Sequence, residues 1–396
     1  MNRMVDRMPA KTRISEATVH LVDHYAFVRI RTEDGAEGIG QSGYFGFPQV
    51  TGAILEPLRS VLLGQDPDEI GRLNLELFRA VSVRGGALTS TIGAVDLALW
   101  DLKGRRFEVP AYDLVGGRHR HKVRLHLLMG QKSWPRASTP EDLLEEARLG
   151  VAEGFTAVKI DPFVEGEDGF HVQTSARRIN KAIEIVEELR SIVGKDVDLG
   201  VECHRKLTTG EAIQFAQRLE RLNIHYLEDP LPPDSISEYA RLAQAIRVPL
   251  AVGERHDTFY EFEDLLDAGI GDFLRPDIGN VGGLSASIKI AALAEARHRR
   301  MIAHNFLSPY LTAAALQLYA AIPNTGTFEW TPLDEEPHRA AMLTAPLPRN
   351  GGWLDVPEAP GLGVDIAPGY LEAGPEFAAP PAPGSLRTQD GSIHAI

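Results

Sequence analysis

Cysteine is nearly absent from this 396-residue chain, whose single example is Cys203. One cysteine cannot form an internal disulfide, so nothing in the sequence requires an oxidising compartment. Long apolar runs are also missing, since none approaches the ~20 residues of a membrane-spanning helix. The opening stretch MNRMVDRMPAKTR carries charges without an apolar core, unlike a secretory signal peptide. These absences predict a cytoplasmic protein with no membrane span.

Positive charge is scarce relative to negative charge, because 41 Lys and Arg face 55 Asp and Glu, for a net charge of −14. The negative excess argues against nucleic acid or an anionic membrane as the main partner. A small anionic substrate stays possible, because the charge inside a pocket can oppose that of the whole molecule. With 43% hydrophobic and 24% charged residues, the composition is typical of a globular enzyme.

Residues 1–122 are predicted to form an α+β domain. The segment ATVHLVDHYAFVRIRTEDGAEGIGQS alternates apolar and polar residues around EDG, which indicates a strand, a turn and a strand. Three stretches with helical periodicity follow. In the third, LTSTIGAVDLALWDLKGRRF, apolar residues recur at intervals of three and four and predict one buried stripe of Ile92, Val95, Leu99 and Leu102.

Residues 123–330 show a different pattern, in which short apolar runs alternate with amphipathic stretches about every 25 residues. This alternation predicts a parallel sheet, and seven or so units favour a closed (β/α) barrel over an open doubly wound sheet. No Gly-x-Gly-x-x-Gly follows the first strand, which counts against a dinucleotide-binding fold. Residues 331–396 are rich in Gly and Pro, and we expect them to return to the first domain or trail over the surface.

Polar residues end the predicted barrel strands, and their spacing is regular. The set comprises Lys159, Asp161, Glu202, His204, Glu228, Glu254, Asp277, His304 and Glu329. From Glu202 to Glu329 the successive strand ends are 26, 26, 23, 27 and 25 residues apart, which is one strand-plus-helix unit each. Catalytic groups of (β/α) barrels lie where strands meet the following loops. These residues are therefore the candidates for a shared site.

Three glutamates at one height on adjacent strands, Glu202, Glu228 and Glu254, would repel each other strongly. A hard divalent cation with oxygen ligands removes that repulsion, and Mg²⁺ is the natural choice. The alternative is that each glutamate pairs with a nearby Lys or Arg. Cys203 could belong to a Cys/His pair, but strand alternation predicts that Glu202 and His204 face the barrel mouth and Cys203 faces the helices.

The order of these carboxylates, followed by Asp277 and His304, resembles the enolase superfamily, and within it the mandelate racemase-like group. AVDLALWDLKGRRFEVPAYDLVGG is similar to the capping-domain signature of that group, and YLEDP, VGER and RPDIGNVGGLSASIKIAALAEA are similar to its metal and dyad strands. The resemblance spans roughly residues 15 to 365. It implies an α+β capping domain, completed by the C-terminal segment, over a modified (β/α)8 TIM barrel. It also implies Mg²⁺-assisted removal of a proton next to a carboxylate, and a homo-oligomer.

Acid-sugar dehydratases are the subgroup that the sequence resembles most, and they imply roles for the candidate residues. His304 is the candidate base, and Asp277 can accept its second N–H and fix the tautomer. The metal-ligand-x-His arrangement of Glu202 and His204 implies that His204 protonates the departing β-hydroxyl. The implied reaction is elimination of water to a 2-keto-3-deoxy acid.

The second barrel strand, VKID, departs from the Lys-x-Lys of the racemases in this group. Lys159 matches the first lysine, but Asp161 cannot act as the second, cationic base, so two-base racemisation is not expected. Asp161 could instead hydrogen-bond a substrate hydroxyl. Lys159 is expected to hold the substrate carboxylate or to pair with Asp161. Glu329, as a protonated donor, could help to steady the enediolate, although a structural glutamate is an equal alternative.

Two further departures concern the metal and the lid. Glu202 stands where the family usually has Asp, and the extra methylene moves the carboxylate by roughly an ångström. The hairpin LVDHYAFV is short, so capping would fall to QSGYFGFPQV, with Tyr44 as a substrate contact and Phe45 and Phe47 as further lid residues. Two alternatives stay open: an epimerase or lactone cycloisomerase on the same scaffold, and a catalytically silent paralogue that binds a sugar acid.

Overall fold

The computed structural model describes residues 9–131, 139–163 and 174–378. The two ends of the predicted domain organisation, residues 1–8 and 379–396, lie outside these ranges. No helix among the described residues is long and apolar enough to cross a membrane.

A three-stranded antiparallel sheet begins the fold, in the order β1-β2-β3. Its strands are β1 (Ile14–Val22), β2 (Tyr25–Thr32) and β3 (Glu37–Gln41). The predicted turn at EDG joins β2 to β3. A second turn divides the predicted first strand in two, at Asp23, whose φ of 52° lies in the left-handed region that short polar side chains tolerate.

Helices cover this sheet, and the longest of them is buried more completely than predicted. The helices are α1 (Val50–Leu62), α2 (Ile70–Arg79), α3 (Gly86–Arg106) and α4 (Ala111–Val115). In α3 the whole run Leu88–Leu99 is buried, not one stripe, because the helix contacts both the sheet and the barrel. Gly38 and Gly40 of β3 permit this approach, since a Cβ there would lie 2.2 and 1.9 Å from carbonyl oxygens of α3.

Eight parallel strands form a barrel-like sheet, as the alternating pattern predicted. They are β4 (Lys122–Leu128), β5 (Ala157–Ile160), β6 (Asp198–Glu202), β7 (Tyr226–Glu228), β8 (Leu250–Val252), β9 (Phe273–Leu274), β10 (Arg300–Met301) and β11 (Phe328–Trp330). Neighbours in sequence from β4 to β10 are neighbours in the sheet, and β11 pairs with β4. A bridge from Met301 to Thr325 joins β10 to the segment before β11, so the sheet closes on itself.

Helices between the strands surround this sheet. They are α5 (Pro140–Ala152), α6 (Ser175–Val193), α7 (Thr209–Leu219), α8 (Ile236–Ala245), α9 (Phe259–Asp267), α10 (Gly283–Ala296) and α11 (Pro309–Ala321). Several begin at a threonine followed three residues later by an acidic residue. At α7, for example, Thr208 accepts from the amide of Glu211 while the Glu211 carboxylate accepts from the amide of Thr208. Such reciprocal caps fix where the helices start.

The C-terminal segment contacts both units. It contains a 3-10 helix (Pro332–Glu335), α12 (Pro337–Ala340), β12 (Arg349–Asn350), β13 (Trp353–Asp355) and α13 (Tyr370–Ala373). Outside this segment, another 3-10 helix (Glu220–Leu222) follows α7 in the barrel. β13 pairs antiparallel with β4 of the barrel. The Leu362 amide then donates to Asp101 of α3 at 2.9 Å, and the Ala378 amide donates to the Asp23 carbonyl at 2.9 Å. The domain boundaries themselves stay predictions.

The first unit meets the barrel close to the carboxyl ends of its strands. The amide of Gly43, just after β3, donates to the Gly279 carbonyl at 3.0 Å. In α3, Asp96 accepts from the Ser285 amide at 3.0 Å, and the Trp100 indole donates to the Ser285 hydroxyl at 3.0 Å. Burial raises the pKa of Asp96 to about 6 against these hydrogen bonds. The loop after β3 is thereby held beside the predicted site.

Candidate active site

The three predicted metal ligands come together at the barrel mouth. Glu202 and Glu228 are the last residues of β6 and β7 and lie opposite each other in the sheet. Glu254 follows β8 by two residues. One carboxylate oxygen from each of the three lies within 4.8 Å of the others. The regular spacing in the sequence therefore corresponds to proximity in space.

This glutamate cluster has the donor chemistry that a hard cation requires. Glu228 is fully buried, and its Oε2 has no hydrogen-bond partner among the described residues. Burial raises the pKa of Glu228 well above its usual range, and the neighbouring Glu202 charge adds to this against the opposing effect of Arg275 and Lys159. A divalent cation among the three carboxylates would remove the repulsion and use the free oxygen. The residues present thus fit a metal.

Glu202 adapts its longer side chain by folding back on its own strand end. Its Oε1 accepts from the amides of Cys203 at 3.1 Å and His204 at 2.8 Å. Its Oε2 accepts from the Lys159 ammonium at 3.2 Å. These two amides hold the carboxylate in place, so the extra methylene leaves Glu202 within reach of the other two glutamates.

A buried charge cluster, defined here as Lys159, Arg275, Glu329 and His126, lies against the glutamates. Lys159 forms ion pairs with Glu228 at 2.8 Å and with Glu329 at 2.5 Å. Arg275 joins the same two carboxylates at 2.6 and 2.7 Å. The alternative in which the glutamates pair with basic residues is therefore also realised, since Glu202 and Glu228 meet Lys159 and Glu254 meets Arg255 at 2.8 Å. The expected pairing of Lys159 with Asp161 is not found, because Lys159 is committed to these carboxylates.

Glu329 is surrounded by hydrogen-bond donors and cations, which bears on its expected role. Its side chain meets Lys159 and Arg275, and its Oε1 accepts from the Asn305 amide at 3.0 Å. Burial alone would raise the pKa of Glu329, but Arg275 and Lys159 hold it well below its usual range. The contacts with two cations and a backbone amide disfavour the protonated donor that the family resemblance implied. Its surroundings favour the structural alternative.

His304 and Asp277 form the expected pair on neighbouring strand ends. The backbone bridges between the two residues, and His304 Nδ1 lies 2.7 Å from Asp277 Oδ2. His304 Nε2 points towards the glutamate cluster, 3.7 Å from Glu254 Oε2. Burial acts to lower the pKa of His304, but the charges of Glu254 and Asp277 outweigh it and raise the pKa.

A second histidine–aspartate pair lies on the other side of the glutamates, at the ends of β5 and β6. His204 Nδ1 lies 2.6 Å from Asp161 Oδ2, and the Lys206 ammonium donates to the same oxygen at 2.6 Å. Although burial opposes it, Lys206 and His204 lower the pKa of Asp161 to about 2. For His204, burial acts to lower the pKa, but Glu202 and Asp161 raise it.

Contrary to the prediction from alternation, His204 does not continue the extended strand. β6 ends at Glu202, and His204 and Arg205 have left-handed φ values of 44° and 62°. His204 is therefore in a turn and not on an extended strand, although its ring still reaches the mouth. Cys203 is completely buried, and burial raises its thiol pKa well above the usual range, as expected for a packed residue and not a nucleophile.

The loop after β3 lies over the His304 side of the site. A Cβ on Gly43 would lie 2.9 Å from Asp277 Oδ1, so a residue without a side chain is needed there. Phe45 is 57% exposed and its ring is 5.4 Å from that of Phe306, which in turn is 5.1 Å from the His304 ring. Tyr44 is half-buried in this loop, and its role as a substrate contact stays a prediction.

Several residues of the site were missed from the sequence. Arg275 and Lys206 lie two residues from Asp277 and His204, and the same alternation used for the carboxylates could have indicated Arg275. His126, on β4, was overlooked because no acidic neighbour marks that strand. It approaches Thr327 at 2.9 Å and Glu329 at 3.4 Å, and burial lowers its pKa to about 4.

Comparison with known proteins gives two matches to family models. Residues 2–116 match the mandelate racemase/muconate lactonizing enzyme N-terminal domain, and residues 142–370 match the enolase C-terminal domain-like model. The chain is 32% identical over 356 residues to a D-galactonate dehydratase of Ralstonia pickettii, covering 88% of this chain and 90% of that protein. It is 32% identical over 364 residues to a D-xylonate dehydratase of Haloferax volcanii, covering 88% and 85%.

A solved structure with the same fold carries a different activity in its name. It is the 3,6-anhydro-D-galactonate cycloisomerase of Zobellia galactanivorans, with a TM-score of 0.80 and 27% identity. The match covers 91% of this chain and 98% of that one. The scaffold is therefore shared by proteins named for water elimination and for ring isomerisation.

Proposed function

This chain belongs to the mandelate racemase/muconate lactonizing enzyme family of the enolase superfamily, and from that membership we propose that it is an acid-sugar dehydratase. The reaction is loss of water from C2 and C3 of an aldonic acid, giving a 2-keto-3-deoxy acid. The observation that carries the proposal is a histidine–aspartate pair on each side of one glutamate cluster. Elimination of water needs both a base and an acid, and two such pairs provide them.

Glu202, Glu228 and Glu254 are the proposed Mg²⁺ ligands. When bound, the cation would supply positive charge beside the substrate carboxylate, where removal of the C2 proton creates a second negative charge. Lys159 holds Glu202 and Glu228 in place through contacts of 3.2 and 2.8 Å. Lys159 and Glu329 are proposed to support the glutamates and not to contact the substrate, because each already meets several charged partners.

His304 is the proposed base. Asp277 accepts a hydrogen bond from Nδ1–H of His304, so in the neutral ring Nε2 carries the lone pair and faces the mouth. From there it removes the C2 proton. The Phe45 and Phe306 rings beside it would limit access of water to that side.

His204 is the proposed acid. Hydroxide is a poor leaving group, so the C3 hydroxyl must be protonated as its bond to carbon breaks. His204 donates that proton, water departs, and the enol product ketonises to the 2-keto-3-deoxy acid. The side chain of His204 is 41% exposed, so a substrate can reach it.

The test is a panel of aldonic acids with Mg²⁺, beginning with D-galactonate and D-xylonate. Semicarbazide detects the 2-keto acid product. We expect product with at least one acid, and loss of product on addition of a chelator or in Glu228→Gln. Absence of product from every aldonate, with folded protein and added Mg²⁺, would exclude dehydration.

Cycloisomerisation is the second candidate, favoured by the structural similarity to the Zobellia protein. It requires a base at C2 but a different leaving oxygen. A ring-opened or isomerised product without release of water, accompanied by C2 proton exchange in D₂O, would support it over dehydration. A silent sugar-acid-binding paralogue would show binding of acid and metal with neither exchange nor product.

A further inference from the structure

The two histidine–aspartate pairs differ in how the aspartate is held. Both oxygens of Asp161 are engaged: Oδ1 accepts from the Phe163 amide at 2.9 Å, and Oδ2 accepts from His204 and Lys206. Lys206 also donates to the Phe163 carbonyl at 3.2 Å, which closes a ring of contacts around the carboxylate. Little rotation is open to Asp161 without breaking several of these bonds.

This arrangement decides which nitrogen of His204 meets the substrate. An ionised carboxylate only accepts, so the nitrogen facing Asp161 Oδ2, Nδ1, must carry a proton. Nε2 is then the nitrogen that can give up its proton, after which the ring remains as the neutral Nδ1–H tautomer. Without the aspartate, a half-exposed ring could rotate and offer either nitrogen.

The backbone reinforces this placement. The His204 amide donates to Glu202 Oε1, and the Arg205 amide donates to the Asp229 carbonyl at 2.7 Å. The left-handed conformation of both residues puts His204 and Lys206 on the same turn, where both reach Asp161. The turn and the neighbouring strand end thus converge on one carboxylate.

We propose that Asp161 is a positioning residue that orients His204 for protonation of the leaving hydroxyl, with Lys206 holding Asp161 in place. The proposal rests on the proposed dehydration. It replaces the earlier expectation that Asp161 contacts a substrate hydroxyl, since both of its oxygens are already used. It predicts that Asp161 is needed for departure of the C3 hydroxyl and not for removal of the C2 proton.

The test separates the two halves by following deuterium. Asp161→Asn preserves the size of the side chain and an acceptor for the Phe163 amide but removes the charge. With D-galactonate or D-xylonate, whichever the unchanged protein dehydrates, we expect kcat for elimination to fall ~10–100-fold, typical of a lost orienting partner. KM should change little. In D₂O, deuterium should then enter C2 of the unreacted acid, because His304 still removes the proton while the leaving step is slow.

Asp196→Asn is the matched control, because Asp196 is exposed in the loop before β6 and loses the same charge. It should leave both rates unchanged. The ratio of C2 exchange to elimination is the readout that a merely structural loss would not raise. If Asp161→Asn loses exchange and elimination together, or keeps wild-type elimination, the proposal is overturned.

A double-mutant comparison checks that Asp161 acts through His204. His204→Asn alone should slow elimination at least as much as Asp161→Asn, and the combined variant should be no slower than His204→Asn. Multiplicative losses would mean that Asp161 has a separate role. If the unchanged protein neither exchanges C2 nor forms product on any aldonate, the proposed function has failed and not this inference alone.

Discussion

The buried charge cluster and the two histidine–aspartate pairs differ in how far their side chains are exposed to solvent. Lys159, Arg275, Glu329 and His126 have side chains no more than 3% exposed, and the charges of the first three meet inside the protein beside the neutral His126 ring. The histidine side chains of the pairs are 14% and 41% exposed. Matched internal charges hold a shape, whereas groups that exchange protons with a substrate must be reachable. The comparison predicts different consequences for substitution in each region.

Arg275→Met gives the largest expected effect. It leaves Glu228 and Glu329 buried without their guanidinium partner, and removing one member of a buried ion pair costs about 3–5 kcal/mol. Chemical denaturation should show that loss in the free energy of unfolding, together with loss of activity. Arg255→Met is the control, since Arg255 is 31% exposed and also pairs with a site glutamate, Glu254, at 2.8 Å. Its stability should change by less than about 1 kcal/mol.

In contrast to Arg275→Met, His304→Asn should cause a large loss of reaction rate and little loss of stability. Removal of a general base typically costs about 10²–10⁴-fold in rate. Both C2 exchange and elimination should fall together, unlike in Asp161→Asn, because the first step is blocked. The measurement is the pair of rates in D₂O, alongside the midpoint of thermal unfolding. A variant that kept C2 exchange would show that another group is the base.

The barrel and the carboxylates at its mouth could be predicted from the sequence, because both follow from periodic patterns. One strand-plus-helix unit between strand ends fixes which residues share the mouth, so Glu202, Glu228 and Glu254 could be placed without coordinates. The hydrogen-bond partners of these strand-end residues could not be predicted from the spacing. Asp161 meets His204 and Lys206 only because β6 stops at Glu202 and the chain turns left-handed, and such a turn at a histidine has no clear signal in the sequence.

His126 should make stability depend on pH. Burial lowers its pKa from 6.5 to about 4 in the folded state, so the unfolded chain binds a proton first as the pH falls. The contribution of neutral His126 to the free energy of unfolding is complete above pH 6.5 and is lost as the pH falls towards about 4. At about 1.4 kcal/mol per pH unit over this interval, the total is about 3–4 kcal/mol. The difference in unfolding free energy between the unchanged protein and His126→Gln, measured from pH 7 to 4, should shrink or reverse accordingly. A pH-independent difference would contradict a neutral buried His126.

Phe45→Ala should have a modest effect on substrate affinity. The Phe45 ring packs against Phe306 in a contact of the kind worth about 0.5–1.5 kcal/mol, which would hold the loop over the site. Loss of this contact is expected to raise KM by roughly 2–10-fold. Phe47→Ala is the matched control, since Phe47 is 52% exposed in the same loop. Equal effects of the two variants would mean that the loop acts through its general bulk and not through the Phe45–Phe306 contact.

Cys203→Ser should have the smallest effect on activity, although Cys203 lies between a proposed metal ligand and the proposed acid. Its side chain is completely buried, away from the mouth, and no step of the proposed reaction uses it. Burying a hydroxyl in its place could cost about 1–3 kcal/mol of stability, while kcat and KM should stay within about twofold. Cys203→Ala separates the two effects, since it buries no polar group. A large loss of kcat in both variants, with folded protein, would give the thiol a chemical role and overturn its assignment to packing.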